Sequence, residues 1–487
     1  MDGEVDRHLF VIFGASGDLT RRKLLPALYR VVNENDVADR TVILGVASTG
    51  MDDAAFRVLA REALAEAGLE DSDTDQWCED RVFYEPIARD ASDFERLAAR
   101  IRRIEHTADL PGNRAFYLAL PPAAFPSVIE NLGEAGLSHS TTGWTRLVIE
   151  KPFGKDLASA RELNYLVHRH FDESQVYRID HYLGKETVQN LLTFRFANPI
   201  FETTWNRDRL EAVEITCAED LGVEGRAGYY DSAGALRDIV QNHLTQLMTL
   251  VAMEAPSGFT ADAIRNEKVQ VLESIRSVKP EHIVYGRYTA GTIDGEAVPG
   301  YLEEEGVNPQ STTPTFVAAR VEINTWRWEG VPFYLRTGKR LPRRTTQIAV
   351  TYKRAPVCIF HGVGDDCPIR PNVIVLTLQP DEGFQIRFEV KAPGTETVVS
   401  KPMSFDYEAE FASIPDAYQT LLHDVMVGDQ TLFVRADEVE ASWRLWSPIL
   451  DRGDIAVHPY PAGTWGPSAT NKMLALWTDE WTMHAEG

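Results

Sequence analysis

The run Leu9-Phe10-Val11-Ile12-Phe13, passing at once into Gly14-Ala15-Ser16-Gly17-Asp18-Leu19, decides the fold. Five consecutive apolar residues leave no polar face, so they read as a strand buried on both sides of a parallel sheet. The two glycines mark a tight turn. Leu24, Leu25, Leu28, Val31 and Val32 then recur at helical spacing behind Arg21, Arg22 and Lys23. A strand, a glycine turn and a helix make a βα unit whose helix start offers unpaired N–H groups to a phosphate. Gly14, Ala15, Ser16, Gly17, Asp18 and Leu19 are therefore the candidate residues for a dinucleotide's pyrophosphate, although a glycine turn after a strand is in itself a weak signal.

Outward from that turn, residues 41–47, 115–120 and 146–149 read as further buried strands, with a helical stretch at 54–67. Alternating strands and helices predict a doubly wound parallel sheet of Rossmann type. Beyond residue 180 the pattern changes. Strands are expected at 210–216, 316–323, 346–352, 373–378 and 384–390, and helices at 236–253, 260–275 and 416–425. Separate blocks of strands and helices predict a larger α+β domain on a mostly antiparallel sheet. The expected division is 1–178 for dinucleotide binding and 179–487 for substrate binding and oligomerisation.

A chain of 487 residues exceeds what one core usually serves, in keeping with two domains. Its formal net charge of −24 disfavours nucleic acid and anionic membranes, which both call for a basic footprint. No run reaches the length of a membrane span, and the acidic start does not read as a signal peptide. Cys78, Cys217, Cys358 and Cys367 form neither a CxxC pair nor a dense framework, so a reducing cytoplasm is expected. No cluster has metal-ligand spacing, and no metal is expected.

The octet Arg178-Ile179-Asp180-His181-Tyr182-Leu183-Gly184-Lys185 packs an acid, an imidazole, a phenol and two cations into eight residues. Upstream, Glu150-Lys151-Pro152-Phe153-Gly154 follows a buried strand, so Lys151 is expected at the carboxyl edge of the sheet, beside the cofactor. Downstream, Asp238-Ile239-Val240-Gln241-Asn242-His243 lies in an apolar-rich helix. Removing a hydroxyl proton while hydride leaves the same carbon takes one general base near neutrality, and a histidine oriented by a carboxylate suits it. His181 and His243 are both candidates. Asp238 stands five residues before His243, on a different face of an α-helix, so the orienting carboxylate is expected from elsewhere.

Taken in this order, the three segments resemble the substrate site of the glucose-6-phosphate dehydrogenase family. The turn Gly14 to Leu19 with its basic cluster also matches that family, and Phe333-Tyr334-Leu335-Arg336-Thr337-Gly338-Lys339 resembles its R-x-GK turn. The resemblance implies oxidation of D-glucose 6-phosphate at C1 to 6-phospho-D-glucono-1,5-lactone, the first step of the oxidative pentose phosphate pathway. It makes His243 the base, Asp180 its partner and His181 a phosphate ligand beside Tyr182 and Lys185. It places Lys151, Lys339 and Arg344 at the substrate, with Glu219 and Asp238 accepting from sugar hydroxyls and Gln379 adding a contact. A broad sheet in the second domain would suit a dimer, so a homodimer or homotetramer is expected. One position departs from the family. Many NADP-using members carry an arginine after the second strand, where this chain has Ser48, followed by Asp52 and Asp53. An acid near the ribose favours a hydroxyl over a phosphate, so NAD, or dual use of NAD and NADP, is expected. Two other readings remain open: another sugar C1 dehydrogenase with a Rossmann domain, and a non-catalytic nucleotide-binding relative.

Overall fold

The structure is a computed structural model and describes residues 4–35, 37–87, 90–359, 369–411 and 414–474. Two compact units emerge. The first comprises residues 1–185, 257–265 and 415–440, and the second 186–256, 266–414 and 441–487. A single cut after residue 178 does not describe this division, because two later segments return to the first unit. Of the four cysteines, Cys78 and Cys217 are buried thiols, and Cys367 lies outside the described residues.

The first unit is built on six parallel strands, β1 (His8–Phe13), β2 (Thr41–Ala47), β3 (Val82–Pro86), β4 (Arg114–Leu118), β5 (Thr145–Ile149) and β6 (Val176–Arg178). Their spatial order is β3-β2-β1-β4-β5-β6, that of a doubly wound dinucleotide-binding fold. All six residues of β1 are buried. Phe10 and Ile12 enter the core on one face and Leu9, Val11 and Phe13 the core on the other, as an unbroken apolar run requires. The returning helix Ala417–Val427 contributes Leu421, Leu422, Val425 and Met426 to the Phe10 side.

Strands β3 and β6 were not expected from the sequence. β6 is three residues long and ends in Arg178, a residue that pattern alone assigns to the surface. Its guanidinium is buried instead, bonded to Glu173 at 2.6 Å and to Asn164 at 3.1 Å.

The second unit contains β7 (Leu210–Ala218), β8 (Ile283–Thr289), a small hairpin of β9 (Gly291–Ile293) and β10 (Glu296–Val298), then β11 (Phe316–Glu322), β12 (Pro332–Gly338), β13 (Thr345–Tyr352), β14 (Val373–Gln379), β15 (Gly383–Lys391), β16 (Val398–Asp406) and β17 (Val457–Pro461). Nine of these form one sheet in the order β16-β15-β14-β13-β7-β12-β11-β8-β17. It is antiparallel except where β12 pairs with β7 and β17 with β8. Among the described residues no helix is long and apolar enough to cross a membrane.

Burial pushes the Glu173 carboxyl up, and the Arg178 cation together with hydrogen bonds from Arg178, His168 and the Ala436 main chain outweighs it, holding the group below its usual range. A depressed folded pKa stabilises above the unfolded pKa and loses that contribution as pH falls through the folded value. Arg178→Met should therefore destabilise the first unit by about 3 kcal/mol at pH 7. Denaturant titrations at several pH values should show the deficit shrinking below roughly pH 4; a deficit independent of pH would contradict the assignment.

Candidate active site

Pairing in the first sheet fixes where the functional residues emerge. Phe13 is in register with Val46 and with Leu118, Leu118 with Ile149, and Ile149 with Arg178. The residues that follow these positions, Gly14, Ser48, Lys151 and Asp180 with its neighbours, consequently leave the sheet at one carboxyl edge. Ligands bind at that edge of open parallel sheets, on either side of the strand-order reversal.

At the first turn, Gly14 has φ of +87°, and a Cβ there would lie 2.1 Å from the Ala119 carbonyl oxygen. Only glycine fits that backbone. Gly14 N donates to Val46 O at 2.8 Å and Gly17 N to Gly14 O at 2.9 Å, so the turn is tied to β2 and to itself. Beside it is a cavity of about 190 Å³ whose lining includes Gly14, Ser16, Gly17 and Ser48. A close backbone approach to a pyrophosphate suits this bare, narrow cradle, so the residues present fit a dinucleotide. Ala15 and Leu19 turn into the core. Asp18 pairs with Arg22 at 2.8 Å, and Arg21 with Glu66 and, at 3.9 Å, Glu62. The acids after Ser48 also have partners in the fold. Asp52 caps a helix through Ala55 N at 2.8 Å, and Asp53 holds Arg100 at 2.7 Å. Both acids thus carry a structural role in the fold.

The octet divides between support and display. Arg178 is consumed by the structural bonds described above. Asp180 is buried and takes the main-chain N–H of Tyr182 at 3.1 Å on Oδ1. The Lys185 ammonium sits 4.6 Å from the centroid of the buried Tyr182 ring, and the His181 imidazole meets that ring edge-on at 5.0 Å. His181, Tyr182 and Lys185 thus form one cluster. Lys151 opens a turn with a cis bond to Pro152.

In the second unit the edge formed by β7, β12, β13 and β14 does the same work. Gly338 is in parallel register with Ala218, Thr345 faces Ala218 across an antiparallel pair, and Thr346 faces Gln379. Glu219, Lys339, Arg344 and Gln379 therefore leave neighbouring strands at the same end. The Lys339 ammonium bonds Glu219 at 2.7 Å with only 3% of its side chain exposed, and lies 5.0 Å from the centroid of the Tyr230 ring. Burial, reinforced by the charges of Asp238 and Glu219, pushes the Tyr230 phenol well above its usual range and keeps it neutral. Tyr230 is a member of this cluster that pattern reading missed, since nothing in its local sequence distinguishes it from a core aromatic. Gln379 donates to Thr346 Oγ1 at 2.9 Å, while Arg344 is exposed and lines a separate cavity of about 530 Å³ with Arg343, Pro380 and Asp406.

His243 is buried in Leu236–Leu244, which is wound as a π-helix rather than an α-helix. The Asn242 side chain donates to Arg237 O and Thr245 Oγ1 to Val240 O, both five residues back. At roughly 4.4 residues per turn, positions five apart return toward one face, so the argument that separated Asp238 from His243 does not hold here. π-Helical turns recur at functional sites because they re-aim one side chain without ending the helix.

A family model described as glucose-6-phosphate dehydrogenase, NAD binding domain, matches residues 11–190, and one described as glucose-6-phosphate dehydrogenase, C-terminal domain, matches residues 192–482. The glucose-6-phosphate 1-dehydrogenase of Aggregatibacter actinomycetemcomitans is 45% identical over 476 residues, covering 96% of this chain and 95% of the relative. That of Treponema pallidum is 42% identical, covering 98% and 96%. A solved structure of glucose-6-phosphate dehydrogenase in complex with its substrate glucose-6-phosphate superposes with a TM-score of 0.88 at 34% identity, covering 98% of each chain. Glucose-6-phosphate 1-dehydrogenase from Mycobacterium avium gives 0.84 at 36% identity, covering 98% and 99%.

Gly14→Ala forces a methyl against the Ala119 carbonyl and strains the backbone. It should weaken dinucleotide binding by about five- to 150-fold, from a strain of some 1–3 kcal/mol. Titration followed by nucleotide fluorescence reads this, and wild-type affinity in the variant would rule out the cradle.

Proposed function

This chain belongs to the glucose-6-phosphate dehydrogenase family, and on that premise we propose that it oxidises D-glucose 6-phosphate at C1 to 6-phospho-D-glucono-1,5-lactone. The observation that carries the reading is the convergence of the expected residues on two sheet edges: Gly14, Ser48, Lys151 and the octet on one, Glu219, Lys339, Arg344 and Gln379 on the other. The bound nicotinamide dinucleotide supplies the hydride acceptor.

In this reading His243 takes the proton from the C1 hydroxyl as hydride leaves C1. A buried imidazole is suited to that task, since its neutral form is a base near pH 7. Asp180 is assigned as its carboxylate partner, the role by which an acid fixes a catalytic imidazole's tautomer and stabilises the imidazolium that forms. His181, Tyr182 and Lys185 receive the phosphate, with the Lys185 cation steered by the Tyr182 ring face. Glu219 and Asp238 accept from sugar hydroxyls, while Lys339, Lys151 and Gln379 donate and Arg344 adds positive charge at the sugar end. The Glu219–Lys339 pair presets both partners, so binding sugar hydroxyls needs little reorganisation.

Dual use of NAD and NADP, leaning to NAD, follows from Ser48 at the ribose end and from the engagement of Arg21 and Arg22 with acids. Exposed Phe388, Val390 and Met403 on β15 and β16 support a homodimer or homotetramer.

His243→Asn should lower kcat by a factor on the order of hundreds with little change in KM, whereas Lys185→Ala should raise KM for the sugar phosphate and spare kcat. Steady-state kinetics separate the two, and near-normal kcat in His243→Asn would remove the base assignment. For the cofactor, kcat/KM with NADP should not exceed that with NAD by more than about a hundredfold, a gap of roughly 2.7 kcal/mol. A larger ratio overturns the role given to Ser48.

A further inference from the structure

We propose that Glu150 is a positioning residue for Lys151, holding through its carboxylate the turn from which that lysine acts; the inference rests on the role of Lys151 in the proposed function. Glu150 is the first residue after β5, and the register of β5 with β4 and β6 puts it inside the functional edge of the first sheet. Its side chain is largely withdrawn from solvent, and burial raises its pKa above the usual carboxylate range. A carboxylate in such a place is unfavourable unless its oxygens are well bonded.

Two phenols converge on one of those oxygens. Tyr117 Oη donates to Oε1 at 2.6 Å and Tyr418 Oη donates to the same atom at 3.2 Å. Burial and the negative charge of Glu150 push both phenols far above their usual range, so both remain neutral donors at any working pH. Tyr117 belongs to β4 and Tyr418 to the helix Ala417–Val427, so the carboxylate is fixed from two separate elements of the same unit. The charge of Lys151 itself favours the ionised carboxylate as well, after the two phenols.

The far end of the turn is clamped as well. Gly154 has φ of +81°, and a Cβ there would fall 2.6 Å from Ala160 N, so the chain passes hard against the next helix. Lys155 N donates to Ser159 Oγ at 2.9 Å, and Asp156 caps that helix through Ser159 N at 2.8 Å. Lys151 to Gly154 thus spans two fixed points, and Glu150 is the one adjoining the lysine. Were stability its only role, an apolar side chain of similar volume would serve as well or better. A charge retained beside a substrate-facing lysine serves placement instead: a misplacement of about 1 Å costs large factors in rate.

A double-mutant cycle on the full chain tests this. Glu150→Gln keeps the volume and one acceptor oxygen while removing the charge. It should lower kcat/KM for glucose 6-phosphate roughly tenfold or more. In a Lys151→Met background the same substitution should cost less than about twofold, because nothing is left to position. Tyr117→Phe, a milder change, should show a smaller loss with the same dependence on Lys151 and keeps the test decisive if Glu150→Gln folds poorly. An equal cost with and without Lys151, or wild-type kcat/KM in Glu150→Gln, overturns the inference and leaves the proposed function standing. Normal kcat/KM in Lys151→Met removes the lysine's role and the inference together, and a wild-type chain inactive on glucose 6-phosphate removes the proposed function itself.

Discussion

The first unit depends on the parallel pairing that sets Phe13 level with Val46 and Leu118, Leu118 with Ile149 and Ile149 with Arg178. Strand direction alone then sends every following residue out at one edge, and a slip of one position would turn each side chain to the opposite face. The register is secured by apolar residues on both faces of β1, so the chemistry at the edge is held by packing that lies wholly below it. Gly14 is the steric limit of that arrangement, because the Ala119 carbonyl occupies the space a side chain would need.

The second unit solves a different problem, that of holding a cation nearly out of water at the end of its sheet. Lys339 is tolerated there because Glu219 and the face of Tyr230 stand on either side, and the parallel step from β7 to β12 brings the acid and the lysine out together. Burial, reinforced by the charges of Asp238 and Glu219, keeps Tyr230 uncharged, so the cluster presents an acid, a cation and a neutral phenol. With an overall charge of −24, such local cations are what an anionic substrate can find.

Much of this was legible in the sequence, for physical reasons. A short apolar run bounded by a glycine turn suits a buried strand better than a helix, and strands alternating with helices point to a parallel sheet. What escaped the sequence required tertiary information. β6 is too short and too charged to show a period, and Arg178 is buried only because Glu173 and Asn164 receive it. The return of residues 415–440 to the first unit depends on apolar positions that look the same whichever core they enter. The π-winding of Leu236–Leu244 leaves no mark in composition, and it changed the expected relation of Asp238 to His243. Asp52 and Asp53, whose charge the sequence shows, also cap a helix and hold an arginine, roles that short acids after a strand take and that only the fold reveals.

The central claim is that this chain uses cations gathered by its sheet edges to select a phosphorylated sugar for oxidation at C1. The most direct measurement is reduction of the dinucleotide, followed by absorbance, with glucose 6-phosphate and with free glucose under identical conditions. A phosphate held by several charge-assisted bonds should give glucose 6-phosphate a kcat/KM on the order of a thousandfold higher, equivalent to roughly 4 kcal/mol. Equal values for the two sugars would contradict the account.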